Sequence, residues 1–249
     1  MGQVIERFPV MVFGVSNIVI AVLIVLFFPD INVQFVPGIL AVFILFVRDG
    51  KASVRRLLQR MELRRKYLGW YGIALFVPVV ICGLAFGLYS FMNGRKLDSL
   101  ELVHPLGEYG IFLLYCALGS CGEEVGWRGF LLPQLLQKYS LRTATLFIGL
   151  FWGFWHLKFL FGLSVFVIYA LLVVEFSYVM SWLYTKTYGN ILAAIICHTS
   201  INLCSILFFE KVVMTDIPDG QKLMEIYGML VLVFFPLCAW IFLSDYKSA

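Results

Sequence analysis

Long apolar segments divide this sequence from end to end, and one of them carries charged residues in its middle. A helix needs roughly 20 apolar residues to cross a bilayer, and each segment approaches that length, although the second is short. The runs are continuously apolar and do not alternate as barrel strands do, so helices are predicted. We place the spans at 8–28, 33–47, 70–92, 108–136, 142–161, 164–185, 190–209 and 223–243.

The composition agrees with a membrane protein. The chain is 61% hydrophobic and 14% charged, whereas soluble domains are about 45–50% apolar and about 25% charged. No polar stretch is long enough to form a separate soluble domain. We therefore predict an all-α membrane protein, a polytopic bundle of about eight transmembrane helices that forms a single transmembrane domain over residues 1–249.

The charge distribution predicts the orientation in a cell membrane. Residues 48–66 form a basic segment that holds 8 of the 19 Lys and Arg residues. The positive-inside rule places this segment in the cytoplasm, and with eight spans both termini follow it there. The loops predicted on the other side, around Asp30, Asp98–Glu101 and Asp216–Asp219, are mixed or acidic. Binding of nucleic acid or of a specific lipid is the alternative for the basic segment. Topology and contact with anionic headgroups account for it better, so we expect the bilayer as a partner and no nucleic acid.

Few ionisable side chains lie inside the predicted spans, and such groups by default face the bundle interior and mark function. The stretch "CALGSCGEEVGWRGFLLPQLL" runs from Cys116 to Leu136 and contains three of them. The third histidine of the chain, His104, lies in a predicted outer loop. The intramembrane polar residues of interest are Glu123, Glu124, Arg128, His156, Glu175, His198 and Asn202.

The spacing of these residues predicts which of them share a helix face. Glu124 and Arg128 are four residues apart, so they can neutralise each other, whereas Glu123 points about 100° away. His198 and Asn202 are also four residues apart and stack on one face. A helix rises 1.5 Å per residue. The distance from the cytoplasmic end of the span is therefore about 20 Å for Glu123, about 21 Å for His156 and about 12 Å for His198. The three side chains are therefore expected at compatible depths.

Each of these residues also has a structural interpretation when it is taken alone. A Glu–Arg pair in a membrane helix is often structural, and a lone His can join helices by hydrogen bonds. Glu175 has no partner on its own helix and is interpreted as a packing residue, or as a contact of Arg128 or Lys158. The combination of an unpaired carboxylate, two histidines and an Asn is harder to explain structurally, because it supplies a base and hydrogen-bond donors.

This set of side chains can hydrolyse an amide without a serine or cysteine nucleophile. Glu123 and His156 can hold a water and remove its proton, while His198 and Asn202 donate hydrogen bonds to the oxyanion. A zinc version would use Glu123, His156 and His198 as ligands, but the sequence has no HExxH motif, and the metal-free version is favoured. A thiol nucleophile at Cys121 is the less favoured alternative. All six cysteines lie in predicted spans without a CxxC pair and are interpreted as packing residues.

Three short motifs resemble those of the CAAX protease and bacteriocin-processing family of intramembrane proteases, also called the Abi family. "EEVGWR" resembles its EExxxR motif, "WGFWH" its FxxxH motif and "HTSIN" its HxxxN motif. The order on successive helices also matches, and the resemblance covers about residues 108–209, the expected catalytic core. The sequence departs from the pattern at Trp152, which stands where the second motif usually has Phe. This substitution is expected to keep an aromatic wall.

The resemblance implies roles for individual residues. Glu123 would activate the water, with His156 as its partner. His198 and Asn202 would form the oxyanion site. Glu124 and Arg128 would brace the fourth span. The family includes enzymes that trim prenylated CAAX proteins and relatives implicated in bacteriocin maturation or self-immunity. A CAAX-like protein, a leader peptide or a lipoprotein would each suit an apolar site.

Other functions stay open at this point. A family member that acts in lipoprotein acylation would use the same oxyanion donors with a different nucleophile. A bacteriocin-immunity scaffold would have no reason to keep these buried polar groups. A transporter with a proton relay would usually show discontinuous helices and a two-fold repeat, and the sequence shows neither.

Overall fold

The computed structural model describes residues 8–28, 32–94, 105–214 and 220–244, which form helices joined by short turns, with no strand among them. The predicted outer loops around Asp30, Asp98–Glu101 and Asp216–Asp219, together with His104, lie outside the described residues. The helices are α1 (Pro9–Phe27), α2 (Val36–Asp49), α3 (Lys51–Gln59), α4 (Leu68–Met92), α5 (Leu106–Glu124), α6 (Leu132–Leu136), α7 (Leu141–Trp155), α8 (Leu163–Lys186), α9 (Leu192–Met214) and α10 (Gly220–Ser244).

Five helical segments in the described part of the chain are long and apolar enough to cross a membrane. They correspond to the first, third, sixth, seventh and eighth predicted spans. These segments are Pro9–Phe27, Arg65–Met92, Leu163–Lys186, Leu192–Phe209 and Gly220–Ser244. The prediction of an all-α polytopic membrane protein is therefore confirmed.

The other three predicted spans are helical but shorter or more polar than these five. Helix α2 has 14 residues and α7 has 15, so each is about 21–23 Å long against a hydrocarbon core of about 30 Å. Helix α5 carries Glu108, Glu123 and Glu124, and it continues as a π-helix over Val125–Leu131 before α6 begins. Neighbouring helices surround these short or charged elements. Helix α8 packs against α7 and α10, α4 packs against α9, and α2 packs against α5 and the π-helix.

Glycines allow α2 to lie directly against the backbone of the motif-bearing segment. A Cβ atom on Gly38 would lie 2.6 Å from the carbonyl oxygen of Gly122. A Cβ atom on Gly126 would lie 2.7 Å from the carbonyl oxygen of Pro37. Such close approach of helix backbones is typical of membrane bundles. It fixes the start of the π-helix, and with it the two adjacent glutamates, against α2.

The basic segment is more ordered than a solvated loop. It contains the short helix α3, and Arg60 after that helix contacts three other parts of the chain. The Arg60 guanidinium donates Nε–H to Gly189 O at 2.9 Å and Nη1–H to Gly129 O at 3.0 Å, and Nη2 bonds the Tyr184 hydroxyl. The Ile191 N–H donates to Arg60 O at 2.8 Å. Arg60 therefore joins the end of the π-helix to the turn between α8 and α9.

Candidate active site

Glu124 and Arg128 form a buried ion pair at the junction of α5 and the π-helix. Arg128 Nη1 donates to Glu124 Oε1 at 3.0 Å, and both side chains are 0% exposed. The second guanidinium nitrogen, Nη2, donates to the carbonyl oxygen of Ser177 on α8 at 3.3 Å. The four-residue spacing predicts this pairing, and the contact with α8 adds a link between helices.

Glu124 also contacts His198, which the sequence analysis does not predict. The His198 Nδ1 atom lies 2.9 Å from Glu124 Oε1. An ionised carboxylate only accepts hydrogen bonds, so Nδ1 carries the proton and donates. Glu124 therefore joins the π-helix to α9 and orients the His198 ring, in addition to bracing its own helix.

Glu123 points away from this ion pair, toward α7. Its Oε2 atom accepts a hydrogen bond from Trp152 Nε1 at 2.6 Å, and the residue is 1% exposed. In the part of the chain that the structure describes, no Lys, Arg or His lies within ion-pair distance of Glu123. The two adjacent glutamates thus have different partners, as the angle between their side chains predicts.

Trp152 lies between the polar members of the site. Its ring centroid lies 5.1 Å from that of His198 and 5.5 Å from that of His156. The Arg128 guanidinium carbon lies 5.1 Å from the same ring. The departure at Trp152 from the usual Phe therefore does more than keep an aromatic wall, because an indole N–H reaches the Glu123 carboxylate and a phenyl ring cannot donate this bond. The departure itself is the sequence signal that points to this role.

His156 lies just beyond the last residue of α7. Its Nδ1 atom lies 2.8 Å from the carbonyl oxygen of Trp152. A carbonyl oxygen only accepts, so Nδ1 carries the proton, and Nε2 of the neutral ring is free to accept one. The next residue, Leu157, has a left-handed backbone with φ of 56°, and the chain turns sharply there. The His156 ring also packs edge-on against Tyr169 of α8, with the centroids 5.1 Å apart.

Asn202 lies one turn beyond His198 on α9 and is half-buried. Its Nδ2 group donates to Ser120 Oγ on α5 at 3.4 Å. Ser120 is fully buried, and sequence reasoning does not single it out, because a serine in an apolar helix is common in packed membrane interfaces. This contact joins α9 to α5 one turn before Glu123, whereas Arg128 comes after Glu123 along the chain.

Glu175 does not belong to this group of residues. It lies two positions before Ser177 on α8, so the two residues point to nearly opposite faces of the helix. It lines an apolar groove of about 400 Å³ together with Tyr178, Phe235 and Phe242. Within the described residues no ion pair joins Glu175 to Arg128 or Lys158, so those two suggested contacts are wrong. The packing interpretation agrees with its burial at 8% exposure.

The arrangement does not fit the zinc-binding alternative. Nowhere in residues 8–28, 32–94, 105–214 and 220–244 do three His, Cys, Asp or Glu side chains form a group that could hold a metal ion.

Comparisons with known proteins agree with the motifs. Residues 105–204 match the family model described as "Type II CAAX prenyl endopeptidase Rce1-like". The chain is also 32% identical over 109 residues to CAAX prenyl protease 2 of Methanococcus maripaludis. That similarity covers 37% of this chain and 38% of the relative, so the chain matches well under half of that protein's length.

The matched segment contains every polar residue of the candidate site, from Ser120 to Asn202. Through residues 105–204, the chain is similar to the CAAX protease family.

Proposed function

We propose that this protein is an intramembrane endopeptidase that hydrolyses a peptide bond of a membrane-associated substrate with water activated by Glu123. The observation that carries the proposal is the separation of the two adjacent glutamates. Glu124 is neutralised by Arg128 and bonded to His198, whereas Glu123 has no ion-pair partner among the described residues. An unpaired buried carboxylate beside two histidines is suited to act as a general base.

The reaction begins with a water held between the Glu123 carboxylate and His156 Nε2. Glu123 takes a proton from the water as its oxygen bonds to the scissile carbonyl carbon. The oxyanion of the tetrahedral intermediate accepts hydrogen bonds from His198 Nε2 and Asn202 Nδ2. Glu123 then gives the proton to the amide nitrogen as the carbon–nitrogen bond breaks, which releases a new carboxylate and a new amine.

The proposed oxyanion role sets a requirement on His198. Because its Nδ1 donates to Glu124, the ring can donate from Nε2 only when both nitrogens are protonated. A protonated His198 and Arg128 carry two positive charges, and ionised Glu123 and Glu124 carry two negative charges. The four buried groups are then neutral as a set, which agrees with the high free-energy cost of an unbalanced charge inside a membrane.

The proposed substrate is a membrane-embedded or lipidated peptide or protein. The name of the Methanococcus maripaludis relative denotes a protease for prenylated CAAX proteins, and the apolar surroundings of the site would also accept a leader peptide or a lipoprotein. No metal cofactor is part of the proposed mechanism. We propose the cell membrane as the location, with both termini in the cytoplasm.

Mass spectrometry of peptide termini tests the proposal and identifies the substrate in the same experiment. Membranes of cells with and without the protein are compared, and we expect new amino and carboxyl termini only where the protein is present. When the purified protein then acts on the identified substrate in heavy-oxygen water, the new carboxyl terminus should gain one heavy oxygen. An acylated amine without a cleaved peptide bond would indicate lipoprotein acylation, and unchanged termini would indicate a non-catalytic immunity scaffold.

A further inference from the structure

We propose that the groove between α8 and α10 is a docking site for a transmembrane helix of another membrane protein, and that this helix places a hydrogen-bonding side chain beside Glu175. The groove lies on the face of α8 nearly opposite to Ser177, whose carbonyl oxygen bonds Arg128 in the candidate active site. Neither the groove nor Glu175 takes part in the proposed hydrolysis, so the two proposals can be tested separately.

Aromatic and small side chains line the groove together. The aromatic residues are Tyr178, Phe235 and Phe242, and the small residues are Cys238 and Ala239. Phe235 is 63% exposed and Phe242 is 43% exposed, so the groove is open at the outer surface of the bundle. Its volume of about 400 Å³ lies in the range of binding pockets. Small residues at such a surface allow another helix to approach closely.

Glu175 places a carboxyl group without a partner in this groove. The residue is 8% exposed, and within the described residues its Oε2 atom has no hydrogen-bond partner and no ion pair reaches it. The nearby polar side chains are already engaged elsewhere. Cys238 Sγ donates to the backbone carbonyl of Glu175 at 3.5 Å, and the Tyr178 hydroxyl donates to Arg142 O at 3.1 Å. An unpaired polar group is costly inside a membrane, so the occupant of the groove is expected to supply the missing hydrogen bond.

The depth of Glu175 in the bilayer limits what the occupant can be. Helix α8 has 24 residues, and Glu175 lies near its middle, about 17 Å from either end. The hydrocarbon core is about 30 Å thick, so the polar groups of a phospholipid lie about 15 Å from this depth. A phospholipid in the groove would therefore bring only an acyl chain to Glu175. A polar side chain on a spanning helix does reach this depth, and such side chains form hydrogen bonds between transmembrane helices.

A second copy of this chain fits the groove less well. In a two-fold symmetric pair the same surface of each copy meets the other, so one groove would face another groove. Two facing grooves enclose a space instead of filling it, and close packing is then lost. The convex side of a single helix fills one groove and brings its own polar side chain to Glu175.

Model transmembrane peptides test the proposal with the full-length protein in phosphatidylcholine vesicles. A photo-crosslinking residue, benzoylphenylalanine, replaces Leu243, which lines the groove and is 65% exposed. One polyleucine peptide carries Asn at its centre, a second carries Asn two turns nearer its end, and a third contains Leu alone. Leu26 of α1 is 68% exposed outside the groove and gives the control position for the crosslinker.

The peptide with the central Asn should reach half-maximal crosslinking at position 243 at a concentration about 3- to 30-fold lower than the other two peptides, as the strength of hydrogen bonds between transmembrane helices implies. At position 26 the three peptides should crosslink equally. Glu175→Leu should remove the advantage of the central Asn. Ala239→Phe, which fills the groove and leaves Glu175 unchanged, should lower crosslinking of the same peptide.

Equal crosslinking of the three peptides at position 243 would show that lipid tails suffice to fill the groove and would overturn the proposal. An advantage of the central Asn that persists in the Glu175→Leu protein would also overturn it. Crosslinks between two copies of the chain that this peptide does not displace would assign the groove to a second copy instead. Glu175→Leu should keep its melting temperature in detergent, because the change removes an unpaired polar group, so unfolding would not explain a lost advantage.

Discussion

Trp152 is the residue that links the separate parts of the candidate site. Its indole N–H bonds Glu123, its carbonyl oxygen bonds His156, and its ring lies against His198 and Arg128. In the proposed mechanism, the hydrogen bond to Glu123 Oε2 leaves Oε1 as the oxygen for the water. We therefore regard Trp152 as a positioning residue that acts through Glu123.

Replacing Trp152 with Phe, the residue usual in the family motif, should slow turnover while the protein stays folded. The change removes the donor to a carboxylate, and a hydrogen bond to a charged group contributes about 1.5–3 kcal/mol, so we expect kcat to fall about 10- to 100-fold with little change in KM. Trp155→Phe is the matched control, because Trp155 is also buried beside His156 but its Nε1 has no hydrogen-bond partner among the described residues. Equal losses of kcat in the two variants would show that bulk, and not the donor, matters at Trp152.

Glu124 should differ from Glu123 in its contribution to stability. Glu124→Gln leaves Arg128 without its partner and weakens the bond to His198. Loss of one partner of a buried pair costs about 3–5 kcal/mol, so the melting temperature in detergent should fall together with activity. The double variant Glu124→Gln with Arg128→Met should recover part of the stability, because no unpaired charge remains. If the double variant is less stable than Glu124→Gln alone, the ion pair is not the source of the loss.

The helices show which parts of the molecule can be predicted from sequence. Five spans follow from length and hydropathy, because a bilayer requires about 20 apolar residues whatever the packing. The pairing of Glu124 with Arg128 follows from helix periodicity. The bond between Glu124 and His198 and the bond between Asn202 and Ser120 join helices distant in sequence, and no local pattern encodes which faces meet. The sequence analysis does not predict the π-helix either, nor the close approach of Pro37 on α2 to Gly126 within it.

The end of the bundle at the basic segment depends on Arg60. Arg60→Met removes hydrogen bonds to Gly129, Gly189 and Tyr184, so we expect the free energy of unfolding to fall by about 1–3 kcal/mol. Arg56→Met removes an equal charge from an exposed position of α3 and should change stability by less than about 0.5 kcal/mol. Melting curves of both variants in detergent check this. Equal small effects would mean that Arg60 contributes only its charge.

The whole chain is expected to place its basic segment in the cytoplasm. Gln59 is exposed at the end of α3, and Asn93 is exposed after the 25-residue helix α4, so the two positions lie on opposite membrane faces. A cysteine at Gln59 should resist an impermeant reagent added to intact cells, and a cysteine at Asn93 should react. Labelling of the Gln59 position from outside would show that the orientation is reversed.

The division of the chain into a motif-bearing core and surrounding helices stays a prediction. The family match over 105–204 covers nearly the same residues as the predicted core 108–209. Helices outside the match contribute to the site's support, since α2 packs on the π-helix and Arg60 bonds Gly129. We therefore expect the core to require the remaining helices for folding.

The most direct test of the proposed mechanism is the turnover of Glu123→Gln on the substrate identified from its new termini. The variant keeps the shape of the side chain and an acceptor for Trp152, but it cannot take a proton from water. Loss of a general base typically lowers the rate by about 10²–10⁴-fold, and we expect a loss of this size with a melting temperature close to that of the unchanged protein. Near-normal turnover by the folded variant would contradict the account, because the carboxylate of Glu123 would then not be the base.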